Sequence, residues 1–143
     1  MKKEYLEEIT SLAKAAAIKE EVPVGAIIVK DNKIIGKGQN QQYRAGIIYK
    51  HAEINAIKDA CMKVGRHDLA GATIIVTLEP CLMCLGAIME ARIKKLVYVL
   101  ESPKYGFSRL VEKKEVAKKI IIKKGNHSAE LETIMKKFFQ AKR

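Results

Sequence analysis

Apolar residues in this chain change their spacing from segment to segment, and this alternation is what most restricts the fold. Helical spacing predicts four helices, at residues 2–20, 52–64, 81–91 and 127–141. Runs rich in β-branched residues predict five strands, at residues 24–29, 33–38, 73–78, 95–100 and 119–123. The order α-β-β-α-β-α-β-β-α predicts an α/β protein with a partly parallel sheet and helices on both faces.

Local signals refine this outline. Asp31-Asn32 is a turn pair between the first two strands and predicts a β-hairpin. Pro80 is predicted at the first position of the third helix, which proline favours. The apolar stripe of the second helix predicts five inward residues, Ile54, Ile57, Ala60, Cys61 and Val64. The last helix is predicted to turn five inward, Leu131, Ile134, Met135, Phe138 and Phe139. Residues 101–117 remain ambiguous.

The length of 143 residues predicts one domain spanning residues 1–143. No stretch approaches the ~20 apolar residues of a membrane span, so we expect no membrane partner. The N-terminus has two lysines but no apolar run behind them, so we expect the start of an amphipathic helix there and not a signal peptide. Three cysteines are too few and too uneven for a disulfide framework, which indicates a reducing, cytoplasmic location.

The charge is lopsided, with 27 lysines and arginines against 16 acidic residues and a net charge of +11. Residues 1–89 hold 12 basic and 10 acidic side chains, whereas residues 90–143 hold 15 and 6. A basic end suggests a polyanionic partner such as nucleic acid. A solubilising surface explains it equally well, and the lysines between 113 and 124 suit a solvated face.

Two short segments carry candidate metal ligands. His51-Ala52-Glu53 opens the second predicted helix, and Pro80-Cys81-Leu82-Met83-Cys84 opens the third. Residues three apart on a helix are roughly 60° apart around its axis, so Cys81 and Cys84 can face one point. A helix N-terminus favours the thiolate form that binds metal. One imidazole and two thiolates leave the fourth position of a zinc ion open to water, which is the catalytic arrangement.

Glu53 would then carry protons for that water without binding the metal. On an ideal helix His51 and Glu53 point about 200° apart, so the helix must begin near residue 51 for both to reach one metal. A structural zinc site would need a fourth ligand, but Cys61 is predicted to be a buried thiol on the apolar stripe. A redox switch between Cys81 and Cys84, with no metal, is the remaining alternative.

The combined pattern His-x-Glu and Pro-Cys-x-x-Cys resembles the signature of zinc-dependent nucleobase deaminases. Over nearly its whole length the chain is similar to bacterial tRNA-specific adenosine deaminases of the cytidine deaminase superfamily. The matching stretches are residues 22–26, 36–40, 51–54 and 76–87 and the Phe138-Phe139 pair.

The resemblance implies a three-layer α/β/α cytidine deaminase-like fold around a five-stranded mixed sheet. It implies a homodimer with one zinc ion per subunit, held by His51, Cys81 and Cys84, with Glu53 as the proton shuttle. The implied reaction is hydrolytic deamination of adenosine to inosine at the wobble position of a tRNA anticodon, by zinc-activated water acting on a flipped base.

The resemblance also implies substrate contacts. The side chain of Asn40 and the backbone N–H of Ala52 would contact the base, although Asn40 also suits a turn cap. Lys104 would lie near the anticodon-loop backbone. Of Phe138 and Phe139, one packs and the other reaches RNA, and the sequence leaves open which. The implied phosphate contacts at the C-terminus are Lys142 and Arg143.

Several features leave other functions open. Ser102 stands where bacterial members usually carry an acidic or amide residue that contacts a ribose, and the loop after Gly106 is short. A zinc deaminase of a free base or nucleoside, such as guanine, cytosine or cytidine, is therefore the alternative enzyme. A noncatalytic, zinc-stabilised RNA-binding subunit is a further alternative, against which Glu53 argues.

Overall fold

The computed structural model of the protein describes residues 1–42 and 46–142. Its elements follow in the order α1 (Lys3–Ile18), β1 (Gly25–Lys30), β2 (Lys33–Gln39), α2 (Ala52–Val64), β3 (Thr73–Leu78), α3 (Leu82–Glu90), β4 (Lys95–Leu100), α4 (Lys113–Val116), β5 (Ile121–Lys124) and α5 (Ala129–Ala141). The predicted alternation is confirmed, and the ambiguous segment holds a 3₁₀ turn, Phe107–Arg109, and the short α4. No helix among the described residues is long and apolar enough to span a membrane.

The five strands form one mixed sheet in the order β2-β1-β3-β4-β5. The pairs β1–β2 and β1–β3 are antiparallel, whereas β3–β4 and β4–β5 are parallel. Asp31 and Asn32 both have positive φ angles, 52° and 63°, as the predicted hairpin turn requires. Because β3 and β4 are parallel neighbours, their carboxyl ends lie side by side, and the chain after each strand can contribute to one site.

Helices cover both faces of the sheet, which gives the three-layer α/β/α arrangement that the family resemblance implied. One apolar cluster joins α2, α3 and α4 to one face of the sheet, including Ala56, Ile88 and Val116. The other joins α1 and α5 to the opposite face, including Ile9 and Leu131. The sheet is thus the middle layer, and α2 and α3 lie side by side on one face.

Helix α2 packs closely against β2, and its buried face differs from the predicted apolar stripe. A Cβ atom at Gly38 would collide with the backbone carbonyl of Ala52. The helix therefore turns its smallest side chains to the sheet, and the buried residues of α2 are Ala52, Glu53, Ala56 and Ala60. Of the five predicted inward residues only Ala60 is buried, and the Cys61 thiol is half-buried rather than buried.

Other boundaries also differ from prediction. Helix α3 begins at Leu82 with Cys81 as its N-cap, so Pro80 precedes the helix instead of occupying its first position. Strand β5 starts two residues later than predicted because Lys119 and Ile120 hydrogen-bond back to Val116. Phe139 was predicted to face inward but is 45% exposed, while Ile134, Met135 and Phe138 are half-buried.

Candidate active site

The starts of α2 and α3 bring the two predicted ligand segments together. His51 is the N-cap of α2 and has an extended backbone, with φ −78° and ψ 158°. Cys81 is the N-cap of α3, also extended, with φ −72° and ψ 171°. The predicted helix start near residue 51 is confirmed. The extended N-cap residue turns the His51 ring toward the α3 terminus instead of following the helical spiral.

Three ligand atoms converge at these helix starts. The Nδ1 atom of His51 lies 3.6 Å from Cys81 Sγ and 3.5 Å from Cys84 Sγ, and all three atoms lie within 4.8 Å of one another. A nitrogen and a sulfur bound to one tetrahedral zinc ion are roughly 3.5 Å apart, from bond lengths of about 2.0 and 2.3 Å. The observed spacing and donor types fit zinc, and the group contains no fourth His, Cys, Asp or Glu among the described residues.

The two thiols are electrostatically coupled. A hydrogen bond from Cys84, assisted by His51, lowers the pKa of Cys81 to about 4. The same bond to Cys81, together with burial, raises the pKa of Cys84. The hydrogen bond to Cys81 also raises the pKa of His51. These hydrogen bonds favour the thiolate form of Cys81. A divalent metal ion bound here would take the place of the protons that His51 and Cys84 donate to that sulfur.

Glu53 lies beside the cysteines in the first turn of α2. Its side chain is 4% exposed, and burial raises its pKa to about 7. Its carboxylate can accept a hydrogen bond from the Cys84 thiol, but Glu53 does not belong to the group of three ligand atoms. A buried carboxyl with a pKa near neutrality can hold or release a proton at that pH, which is what general acid–base work requires.

Asn40 links the end of β2 to the start of α2. The buried side chain accepts a hydrogen bond at Oδ1 from the backbone N–H of Ala52, 3.0 Å away. The Asn40 N–H donates to the Val24 carbonyl at 3.2 Å. The Asn40–Ala52 bond occupies the N–H group for which the resemblance implied a contact with the base. In this arrangement Ala52 positions Asn40, and Nδ2 of Asn40 is not used by that bond.

Gln42 orients the histidine, a role that the sequence analysis missed. Its Oε1 atom lies 3.1 Å from Nε2 of His51. A proton on Nε2 that is donated to Gln42 leaves Nδ1 free to bind a metal once the Nδ1 proton held toward Cys81 is displaced. Such outer partners fix the tautomer and ring orientation of metal-binding histidines. The sequence signal was weak, because a glutamine two residues after Asn40 has no distinguishing spacing.

Glu79, also missed, ties the α3 start to the loop after β4. Its buried carboxylate accepts hydrogen bonds from the backbone N–H groups of Ser102, at 3.2 Å, and Ser108, at 3.0 Å. A Cβ atom at Gly106 would lie 2.6 Å from either carboxylate oxygen. Phe107 N–H donates to the Pro80 carbonyl at 2.8 Å. The loop that carries Lys104 is therefore fixed to the residue preceding Cys81.

The predicted RNA-contacting residues lie at the surface, apart from this cluster. Lys104 is exposed, and its carbonyl accepts a hydrogen bond from Arg109. Phe138 and Phe139 pack edge to face with ring centres 5.3 Å apart, and the Lys142 ammonium lies 5.5 Å from the Phe138 ring centre. Among the described residues, no hydrogen bond, ion pair or ring contact joins this C-terminal group to the candidate ligands. Arg143 lies outside the described residues.

Comparison with known proteins places the chain among deaminases. The profile of the MafB19-like deaminase family matches residues 1–143. A tRNA-specific adenosine deaminase from Streptococcus pyogenes serotype M18 is 33% identical over 140 residues, covering 95% of this chain and 88% of the relative. A tRNA(Ile)-lysidine synthase from Deinococcus deserti is 44% identical over 100 residues, covering 69% of this chain. The match spans only 19% of that longer protein.

Solved structures agree with this result. A structure from studies of A-to-I editing by tRNA:A34 deaminases at the wobble position of transfer RNA has a TM-score of 0.84 and 32% identity. The match covers 93% of this chain and 99% of that one. The guanine deaminase from Bacillus subtilis has a TM-score of 0.69 and 30% identity, covering 98% and 95%.

Proposed function

The chain belongs to the MafB19-like deaminase family, and we propose that it converts adenosine to inosine at the wobble position of a tRNA anticodon. The observation that carries this proposal is the His51–Cys81–Cys84 group with the buried carboxyl of Glu53 beside it. The similarity of the chain to the Streptococcus pyogenes enzyme and to a tRNA:A34 deaminase structure supports adenosine in tRNA as the substrate.

His51, Cys81 and Cys84 would hold one zinc ion per subunit. The donor types and the 3.5 and 3.6 Å spacings support this assignment. When bound, zinc supplies a Lewis acid that makes water nucleophilic near neutral pH. Gln42 would keep Nδ1 of His51 turned toward the ion through its contact with Nε2.

Glu53 would act as the proton carrier. In the reaction a water oxygen bonds to C6 of the adenine, the bond from C6 to the amino nitrogen breaks, and ammonia leaves. Glu53 would carry one proton of the attacking water to the ring nitrogen and then the second proton, from the hydroxyl now on C6, to the leaving amine. Its pKa of about 7, raised by burial, suits a group that must both accept and return a proton.

Asn40 would orient the flipped base with Nδ2, while its Oδ1 stays bonded to Ala52. Of the two C-terminal aromatic residues, we assign the RNA contact to Phe139, which is 45% exposed, and the packing role to Phe138, which is half-buried. Base stacking on an aromatic side chain is worth about 1–3 kcal/mol. Lys104, Lys142 and Arg143 would contact phosphates.

We further propose that the protein is a homodimer. The outward face of α3 is apolar, with Leu82, Met83 and Met89 between 38% and 43% exposed. Exposed apolar patches commonly mark interfaces, and a second copy here would cover the surface next to the ligands on α3. Sedimentation of the protein tests this, because a wild-type monomer at micromolar concentration contradicts it and Met83→Glu should weaken a dimer.

One catalytic domain over residues 1–143, in the cytoplasm, completes the proposal. The family profile matches all of these residues, and the three free cysteines and the tRNA substrate suit a reducing compartment.

The alternative is a free-base deaminase, which the 30% identity to a guanine deaminase supports. Incubation with an anticodon stem-loop and, separately, with guanine, cytosine and cytidine distinguishes them: inosine in the RNA supports the tRNA activity, and ammonia from free substrates alone supports the alternative.

A further inference from the structure

The lysine-rich segment after β4 is largely occupied by local contacts. Lys114 pairs with Glu112 at 3.3 Å and Lys118 with Glu115 at 3.1 Å. Lys124 pairs with Glu101 at 3.5 Å, and Lys113 donates to the Tyr98 hydroxyl at 2.8 Å. Four of the six lysines between residues 113 and 124 thus have a local partner. A segment whose lysines are engaged in this way is a weak candidate for binding an external anion.

A groove of about 400 Å³ runs between the C-terminal end of α1, the edge strand β2 and the outer side of α2. Its wall contains four lysines, Lys19, Lys37, Lys50 and Lys58. The one carboxylate in the wall, Asp59, already accepts the Lys37 N–H at 2.9 Å and the Lys63 ammonium at 3.0 Å. The groove thus gathers positive charge on one surface of the N-terminal part of the chain, although that part is close to balance as a whole.

Three of these lysines form no ion pair with any carboxylate in the part of the chain that the structure describes. Lys37 pairs with Glu8 at 2.8 Å. Across residues 1–42 and 46–142, no carboxylate oxygen lies within 4.0 Å of the ammonium groups of Lys19, Lys50 or Lys58. Their charges are available to an external anion.

The groove adjoins the segments that carry the candidate active-site residues. Its wall includes Gln39 and Gln41, which flank Asn40, and Lys50, which precedes His51. The Gln41 N–H donates to the Lys50 carbonyl at 2.9 Å, and Asn55 Nδ2 donates to the Gln39 carbonyl at 2.8 Å. These bonds join the two segments that carry the base-orienting residue and the histidine ligand. A polyanion in the groove would therefore lie next to the reacting nucleotide.

We propose that this groove holds the phosphodiester backbone of the substrate RNA beside the nucleotide that is deaminated. The inference rests on the proposed function and extends it, because it assigns the RNA path to lysines outside the C-terminal helix. Lysine ammonium groups neutralise phosphates and release the counterions condensed on them, without reading sequence. The groove contributes register and affinity, while the pocket at Asn40 and Glu53 selects the base.

The test compares two double variants with the same loss of charge. Lys19→Gln with Lys58→Gln alters the groove, and Lys114→Gln with Lys118→Gln, called the α4 variant, alters two ion-paired lysines in α4 and just after it. The affinity of the zinc-loaded protein for an anticodon stem-loop is measured by fluorescence anisotropy across a range of KCl concentrations. Each lost phosphate contact should reduce the slope of log affinity against log salt by roughly 0.7–0.9. The groove variant should lose up to about two such contacts and the α4 variant none.

Single-turnover deamination at saturating RNA should stay within about twofold of the wild type in the α4 variant, whose lysines lie outside the groove and the candidate active site. An unchanged salt slope in the groove variant, or an equal decrease in the α4 variant, overturns the inference. A changed oligomeric state of the groove variant with an unchanged slope assigns the groove to a second copy and also overturns it. If the wild type binds the stem-loop but forms no inosine, the proposed function fails, while the slope comparison still decides the groove.

Discussion

The side-chain oxygen of Asn40 accepts a hydrogen bond from the backbone N–H of Ala52 at 3.0 Å. This contact joins the end of β2 to the first turn of α2, between the candidate ligand His51 and the candidate proton carrier Glu53. Both bonded groups belong to buried residues, so the bond positions the residues around it as well as satisfying two polar groups.

Replacing Asn40 separates its two roles. Asn40→Asp keeps an oxygen acceptor for the Ala52 N–H but loses the amide donor toward the base. We expect it to retain the Ala52 hydrogen bond and to lower kcat/KM by about 100- to 1000-fold, the range for losing one preorganised hydrogen-bond donor. Asn40→Ala also leaves the Ala52 N–H unpaired, which costs about 1–3 kcal/mol of unfolding free energy. Thermal unfolding and steady-state kinetics on the stem-loop measure both, and equal activity of Asn40→Asp and wild type would refute the base contact.

Removing one ligand should remove the metal. We expect His51→Ala and Cys81→Ala to lose zinc and activity, with lower stability because metal binding is coupled to folding. The matched control is Cys61→Ala, since this half-buried thiol on α2 lies outside the ligand group. Elemental analysis of the purified proteins provides the measurement. Full zinc occupancy in either ligand variant would show that the ligand set is wrong, and no zinc in the wild type would favour a redox role for Cys81 and Cys84.

The buried carboxyl of Glu53 predicts a pH-dependent effect on stability. Burial raises its pKa from 4.5 to about 7, so the folded protein binds a proton there that the unfolded chain releases between these values. A raised carboxyl pKa makes the wild type lose stability as pH rises through this window. Glu53→Gln, compared after zinc removal by a chelator, should therefore gain up to about 3 kcal/mol relative to wild type between pH 4.5 and 8. A stability difference that is constant with pH would contradict the burial of an ionisable carboxyl.

Glu79 predicts an effect on RNA binding through the loop that it holds. Glu79→Gln keeps one acceptor oxygen but replaces the other with an amide that cannot accept from Ser102 or Ser108. We expect a loss of about 1–3 kcal/mol in stability and a larger rise in KM than fall in kcat, because Lys104 lies on the loop. Glu101→Gln, which removes only an exposed pair with Lys124, is the control. A fall in kcat with unchanged KM would show that Glu79 acts on the chemistry instead.

Local patterns predicted the parts of the structure that neighbouring residues determine. The Asp31-Asn32 turn and the element order follow from short-range signals in the sequence. The start of α2 next to His51 follows from the requirement that His51 and Glu53 reach one metal ion. The buried face of α2 could not be predicted in this way, because it depends on the close approach of Gly38 on another element. The roles of Gln42 and Glu79 could not be predicted from local patterns. The partner of Gln42 is 9 residues away, and the two partners of Glu79 are 23 and 29 residues away. These contacts come from the packed sheet and its loops.

Deamination of the wobble adenosine is tested by sequencing a tRNA anticodon stem-loop after incubation with the zinc-loaded protein. Inosine is read as guanosine, so conversion can be counted at every adenosine. We predict conversion at the wobble adenosine only, and none with Glu53→Gln despite full zinc occupancy. Ammonia release from guanine, cytosine or cytidine with no inosine at the wobble position would contradict the claim and assign the site to a free substrate.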